Sequence, residues 1–254
     1  LKVQFLGTGT SQGVPVIGCT CNVCKSLDFR DKRFRSSIHI QVDDLSLVID
    51  TGPDFRSQIL RAGIDTLDAI LFTHEHKDHT AGLDDIRPFN FKQKKDMPIY
   101  GRNQVLGQIK QEFEYVFAGT KYPGVPQVAP HIIDETPFQI DGFEIIPIPV
   151  MHHKLPVLGF RIGNFTYITD ANYISEESIK LIRGSEILVL NALQKEHHLS
   201  HFTLEEAIGM SQKIGAKKTF FTHISHRLGL HEEVEKELPN GIFLGYDGLV
   251  LTLD

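Results

Sequence analysis

Residues 74–79 read His-Glu-His-Lys-Asp-His, directly after the apolar run Asp68-Ala69-Ile70-Leu71-Phe72. Four potential metal ligands, His74, His76, Asp78 and His79, therefore crowd one strand-to-helix turn. A turn on the rigid end of a strand can converge alternate imidazoles and a carboxylate, and that donor mixture suits zinc, manganese or iron. A solvated histidine-rich turn is the plainer alternative. The spacing argues for metal-assisted chemistry.

Further donors stand where apolar runs end: His152 or His153 after Ile145–Val150, Asp170 after Phe165–Thr169, and His223 after Thr219–Thr222. A polar residue that closes a strand is often only a solvent-facing end, so each is ambiguous by itself. The three cysteines, Cys19, Cys21 and Cys24, fall within six residues. An odd, tight group cannot close a disulfide framework and reads better as thiolate ligands than as a secreted scaffold or as three reduced thiols in a loop.

The elements that must position these groups alternate strands with helices. Apolar runs mark strands at Val3–Leu6, Ile38–Val42 and Leu45–Ile49, the last two joined at Asp43-Asp44 as a hairpin. Phe55–Ala62 has helical spacing with Gly63 as its stop; Ala69–Phe72 is the strand that delivers the histidine turn, and Thr80–Ile86 opens a short helix. Residues 103–117 read as helix. The loose stretch 118–130 is either a substrate-facing lid or a surface connection. Later strands are expected at 131–134, 143–148, 157–162, 165–169, 187–190 and 217–221, with helices over 175–182 and 203–214. Thr203 and Glu206 form a capping-box pattern at the start of the last helix. The similar order of elements in both halves suggests two sheets packed face to face with helices outside.

At 254 residues, 41% hydrophobic and 23% charged, the chain has ample material for a large core, and one domain over 1–254 is expected. No apolar run reaches membrane-spanning length, and Leu1–Phe5 reads as a first strand rather than a signal peptide, so a cytoplasmic protein is expected. A net charge of −6 argues against a broad nucleic-acid surface. The basic clusters at 30–35, 92–95 and 217–218 read as solvated faces.

The order His74-x-His76-x-Asp78-His79, then His152, Asp170 and His223, resembles the metallo-β-lactamase superfamily along essentially the whole chain. The resemblance implies an α/β fold: an αββα sandwich of two mixed sheets flanked by helices, with the site at one edge between the sheets. It further implies His74, His76 and His152 on one divalent metal and Asp78, His79 and His223 on a second. Asp170 and a hydroxide would bridge the pair. His153 stays open as the alternative to His152.

Gly7–Pro15, the cysteine cluster and Thr222-His223-Ile224-Ser225-His226 are together similar to the PhnP-type branch, cyclic phosphodiesterases related to tRNA 3′-processing endonucleases. That similarity implies a structural zinc on Cys19, Cys21, Cys24 and His226. It also implies a catalytic histidine at His201, beside His197 and His198, which are expected to be exposed. Asp78 and His201 are then the residues nearest the chemistry. Asp50 and Asp247 are candidates for orienting metal-binding histidines, with turn formation the competing reading for both.

The expected function is a dinuclear phosphodiesterase using two Zn²⁺ or Mn²⁺ ions and a bridging hydroxide on small cyclic phosphates or nucleotide-like diesters. Bulk nucleic acid and membranes are not expected partners, and a homodimer stays open. The alternatives are a tRNA 3′-processing-type endonuclease, a thioester, lactone or β-lactam hydrolase, and a noncatalytic metal-binding protein.

Overall fold

The computed structural model describes residues 1–119 and 123–253. In its first half, strands β1 (Lys2–Gly7), β2 (Ser37–Val42), β3 (Leu45–Ile49), β4 (Ala69–Leu71), β5 (Met97–Gly101) and β6 (Val128–Ile132) follow in chain order. The second half supplies β7 (Phe138–Ile140), β8 (Phe143–His152), β9 (Leu155–Ile162), β10 (Phe165–Tyr167), β11 (Ile187–Asn191), β12 (Lys218–Thr222), β13 (Ile242–Leu244) and β14 (Val250–Thr252).

They form two seven-stranded sheets, ordered β14-β1-β2-β3-β4-β5-β6 and β13-β12-β11-β10-β9-β8-β7. The first pairs antiparallel from β14 to β3 and parallel from β3 to β6. From β7 the second repeats that grammar, antiparallel to β10 and parallel to β13. The similar order of elements in the two halves is thus a repeated sheet plan.

Three cores make the layers. Between the sheets lie Phe5, Ile40, Leu47, Leu71, Phe160, Tyr167 and Val189. Alternate residues of the same strands face outward: Val48 and Ile70 pack with Phe55 and Phe89 on the helices over the first sheet, and Leu188 and Leu190 with Ile179 and Ala207 over the second. Strands covered on both faces must be apolar at successive positions, which is why Leu47–Ile49 of β3, all of β4 and Ile187–Leu190 of β11 read as unbroken apolar runs.

Differences from expectation have local causes. The helix expected over 103–117 breaks at Phe113 into Asn103–Glu112 and Glu114–Phe117, because Phe113 leaves helical geometry at φ −113°, ψ 42°. Thr80–Ile86 is divided between a turn of helix at Lys77–Thr80 and a 3₁₀ turn at Leu83–Ile86. The strand expected at 131–134 lies at 128–132, its propensity hidden by Pro130, which an edge strand tolerates. Strand β8 runs four residues beyond expectation to His152; Pro147 and Pro149 sit past the short β7 pairing, where β8 is itself an edge. Strands β5, β7, β13 and β14, and the helix His231–Glu237, were too short for periodicity to mark. Of the stretch 118–130, residues 120–122 lie outside those described.

One buried imidazole makes stability pH-dependent. His39 on β2 contacts the Ser46 hydroxyl at 2.9 Å, and burial pushes its pKa down from 6.5 to about 4. The unfolded chain takes up this proton near pH 6.5 and the folded chain does not. Stability is therefore intact above pH 6.5 and falls as the pH drops toward 4, by about 2 kcal/mol at pH 5 from this group. His39→Gln should unfold in urea with a shallower loss of stability between pH 7 and pH 5; equal acid sensitivity in both proteins would refute this.

Candidate metal centre

The centre gathers at the carboxyl ends of strands in both sheets. The turn after β4 carries His74, His76, Asp78 and His79 and is pinned to the segment after β3: Thr51 N–H donates to the His79 carbonyl at 2.7 Å, and Gly82 N–H to the Thr51 carbonyl at 2.8 Å. Gly52 is required by this approach, because a Cβ there would stand 2.1 Å from the Asp78 carbonyl oxygen. From the second sheet come His152 at the end of β8, Asp170 just past β10 and His223 just past β12. Asp50, Asp170 and His223 each adopt positive φ, at 67°, 57° and 55°. Such conformations persist in non-glycine residues only where the surroundings hold them, and here they turn three strand ends toward one point.

Two donor groups result, joined through a third set, His152, Asp170 and His201. One is His74, His76 and His152; the other is Asp78, His79, Asp170 and His223, with the ligand atoms of each group within 4.8 Å of one another. The structure brings together every catalytic-site ligand expected from the sequence. It favours His152 over His153, which is exposed in the β8–β9 turn at φ 56°, with its backbone N–H on the Asn172 side chain.

The imidazoles are set in orientation. Asp50 accepts from His79 Nδ1 at 2.7 Å, from Thr73 N at 2.9 Å and from the Thr73 hydroxyl at 2.8 Å. The Thr73 hydroxyl also lies 3.0 Å from His74 Nδ1, and His152 Nδ1 donates to the Ser200 carbonyl at 2.8 Å. Each Nε2 is thereby left to face the centre. The buried Nε2 atoms of His74, His79 and His223 have no hydrogen-bond partner. Nevertheless His79 Nε2 stands 3.2 Å from both Asp78 and Asp170 oxygens, and His223 Nε2 3.1 Å from Asp170. Lone pairs and carboxylates that converge without hydrogen-bond geometry are what a cation between them requires, so this donor set fits divalent metal ions.

The electrostatics agree. Burial opposes charge on both Asp78 and Asp170, yet His79 and His223 hold these carboxyls well below their usual range. Burial likewise opposes charge on His79, but Asp78, Asp170 and Asp50 together raise its proton affinity well above normal. A field that attracts a proton to Nε2 attracts a metal cation there as well. His74 differs, since burial drives its pKa well below the ordinary value and keeps it neutral, as a ligand must be.

His201 reaches the same carboxylate, its Nε2 at 2.9 Å from Asp170 Oδ1, with the ring stacked on His223 at 4.8 Å. Its other nitrogen faces the Ser200 hydroxyl and His198 Nδ1, both at 3.1 Å. His198 is therefore half-buried against His201, contrary to the exposure expected of it, whereas His197 is exposed as expected. Only its place three residues before His201 could have signalled this. Asp50 does orient a histidine. Asp247 does not: its carboxylate accepts from Thr8, Phe34 and Arg61, tying β1 to the chain's end.

About the other cluster, Cys19 and Cys21 sulfurs lie 3.3 and 3.4 Å from His226 Nδ1, and Cys24 completes a group of four donors. Backbone N–H groups of Val16 and Cys24 donate to the Cys24 and Cys21 sulfurs, each at 3.4 Å. The Cys24 N–H and then His226 pull the Cys21 thiol down to about 6, while burial pushes Cys24 up to about 11. Three sulfurs and one imidazole leave no open position, which suits a structural zinc. Cys21→Ser should lose about one zinc per chain and melt several degrees lower, because a closed thiolate site is coupled to folding. Unchanged zinc content and melting temperature would refute it.

Comparison with known proteins follows this geometry. Residues 46–224 match the family model described as "Beta-lactamase superfamily domain". A diphosphatase from the PhnP family has a crystal structure that superposes with a TM-score of 0.93 at 41% identity, over 100% of this chain and 98% of that one. Zn²⁺-bound PqqB from Methylobacterium extorquens shares the fold at 19% identity, with a TM-score of 0.81 over 100% of both chains. Among curated proteins, an octanoyltransferase of Porphyromonas gingivalis is 41% identical over 257 residues, covering 100% of this chain. The chain spans about half, 52%, of that protein's length.

Proposed function

This chain belongs to the beta-lactamase superfamily and to the PhnP family within it, and from that membership we propose that it hydrolyses small phosphodiesters, cyclic phosphates or nucleotide-like esters at a dinuclear metal site. The reading rests chiefly on one observation: His201, which is not among the seven expected catalytic metal ligands, is held on the Asp170 carboxylate at 2.9 Å. His74, His76 and His152 would hold one cation and Asp78, His79 and His223 the other, with Asp170 between them. Two divalent ions, zinc or manganese by donor chemistry, supply an acidified water and charge stabilisation when bound.

The chain's own residues do the rest. Asp50 and Thr73 fix the rings of His79 and His74. His201 presents a ring N–H on the side of Asp170, where it can give a proton to a departing oxygen or steady the phosphoryl group. Phosphodiester cleavage needs such a donor whenever the leaving alkoxide is basic.

Carbonyl chemistry is the second reading, prompted by the relative named octanoyltransferase. Against a covalent acyl mechanism in this chain, all three cysteines stand in the cluster with His226, away from Asp170. The deciding experiment measures hydrolysis of bis-p-nitrophenyl phosphate beside a thioester and lactone panel, at controlled zinc and manganese loading and with products identified. Metal-dependent release from the phosphodiester, exceeding that from the carbonyl substrates, is expected. Turnover of the panel alone, or of nothing, would overturn the proposal. We further propose a cytoplasmic protein that acts on small substrates; no described helix is long and apolar enough to cross a membrane.

A further inference from the structure

The Asp170 carboxylate, buried and turned inward at positive φ, has both oxygens engaged. Oδ1 lies 2.9 Å from His201 Nε2 and 3.1 Å from His223 Nε2. Oδ2 lies 3.2 Å from His79 Nε2 and accepts from the Thr169 hydroxyl at 2.7 Å. Each oxygen therefore faces one imidazole of the expected ligand set and one hydrogen-bond donor. An ionised carboxylate has about four lone-pair sites, about two on each oxygen. With one on each oxygen taken by a hydrogen bond, one on each is left, which is the division that a carboxylate lying between two cations needs.

Thr169 has a neighbour with no part in the chemistry so far. Tyr167, the last residue of β10, is buried in the apolar core between the sheets with Phe5, Leu47, Leu71 and Val189. Its hydroxyl lacks a partner of good hydrogen-bond geometry among the described residues, and the Thr169 hydroxyl stands beside it. Burial and the Asp50 and Asp170 carboxylates push its pKa well above the ordinary phenol value, so it stays an O–H donor. Thr169 spends its single proton on Asp170 and keeps lone pairs with which to accept. The unspent proton of Tyr167 and the unspent lone pair of Thr169 are complementary. A hydroxyl in an apolar core costs stability that phenylalanine would avoid, so folding alone gives no reason for a tyrosine at this place.

We propose that Thr169 and Tyr167 are positioning residues of the metal centre: Tyr167 steadies the Thr169 hydroxyl, and Thr169 holds Asp170 so that one oxygen is offered to each cation. This rests on the dinuclear reading of the site and is independent of which ester is cleaved. Without the Thr169 hydroxyl, Oδ2 has both lone pairs free, and the carboxylate can turn onto one cation at the expense of the other. His201 does not replace the lost bond, because it is held to Oδ1. Hydrogen bonds in a chain polarise one another, so Tyr167 reaches Asp170 only through Thr169.

Manganese titration of the protein stripped of its catalytic cations tests this without turnover, through bound metal per chain and the paramagnetic resonance spectrum of a coupled manganese pair. Thr169→Val, which keeps the shape and loses the hydroxyl, should bind the second manganese on the order of 10–100-fold more weakly than wild type, and Thr169→Ser should restore it. Tyr167→Phe should weaken the second ion less, while its metal-free form melts no lower than wild type; a tyrosine kept only for packing gives the opposite pair of results. The double variant should be no worse than Thr169→Val, because the two act in one chain. Unchanged second-ion affinity in Thr169→Val, or a Tyr167→Phe protein that melts lower yet binds manganese as wild type does, would overturn the proposal. The readings fail separately. A wild type that takes a single catalytic cation removes the dinuclear reading and this proposal together, whereas two cations bound equally by wild type and Thr169→Val remove this proposal alone. Hydroxyl-dependent pairing without phosphodiester turnover removes the hydrolase and keeps the positioning role.

Discussion

Asp78→Ala and His79→Ala will each reduce phosphodiester turnover to background while leaving a folded protein with one fewer catalytic cation. Both residues sit on the turn after β4, whose position is set by Asp50, Gly52 and the backbone bonds of Thr51 rather than by either side chain's packing. His79 is wholly buried, so its truncation also costs some stability, and Asp78, part-exposed, is the cleaner variant. Removing Asp78 takes away the carboxylate that faces His79 at 3.2 Å and His223 at 3.6 Å and leaves that cation two imidazoles and only the Asp170 carboxylate it would share with the other ion, which hold it far less well. The check pairs metal analysis with turnover of bis-p-nitrophenyl phosphate. Two fully occupied catalytic positions with wild-type turnover in either variant would remove these residues from the centre.

His201→Ala should keep both catalytic metals and the fold, yet lose turnover by on the order of 10²–10⁴, the usual contribution of a positioned proton donor. The effect must depend on the leaving group. An acidic nitrophenol departs without help, so the deficit shrinks on bis-p-nitrophenyl phosphate and is largest on an alkyl diester. A residue that merely packed beside Asp170 would depress both substrates alike. Equal turnover of variant and wild type on the alkyl diester, at matched metal content, would make His201 a bystander.

The legible part of the site was the contiguous part. His74, His76, Asp78 and His79 share six residues, and Cys19, Cys21 and Cys24 share another six, so ligand spacing is visible without any fold. His152, Asp170 and His223 were visible only as donors that close apolar runs, each ambiguous by itself until resemblance to a family chose them, and His226 rested on that resemblance alone. His198 was misread because its contact with His201 depends on the fold of an irregular segment that carries no periodic signal. For Asp247 the competing reading, a turn-forming aspartate, is the correct one: it lies in a turn, and its carboxylate serves Thr8, Phe34 and Arg61.

What the sequence determined by itself was local: which residues can ligate metal, the apolar runs that must be strands, the Thr203–Glu206 capping box that starts the last long helix, and the balance of charge. Tertiary structure decided everything that requires distant strands to end at the same point. The parallel pairings of β3 with β4, and of β10, β11 and β12, bring Asp50, the histidine turn, Asp170 and His223 to neighbouring strand ends, where positive φ turns three of them inward. Local propensity carries no information about such convergence, because strand order and register are set by two sheets burying their apolar faces against each other. The cysteine cluster belongs to the same class: His226 meets Cys19, Cys21 and Cys24 across some two hundred residues of chain only because the sheets place them together.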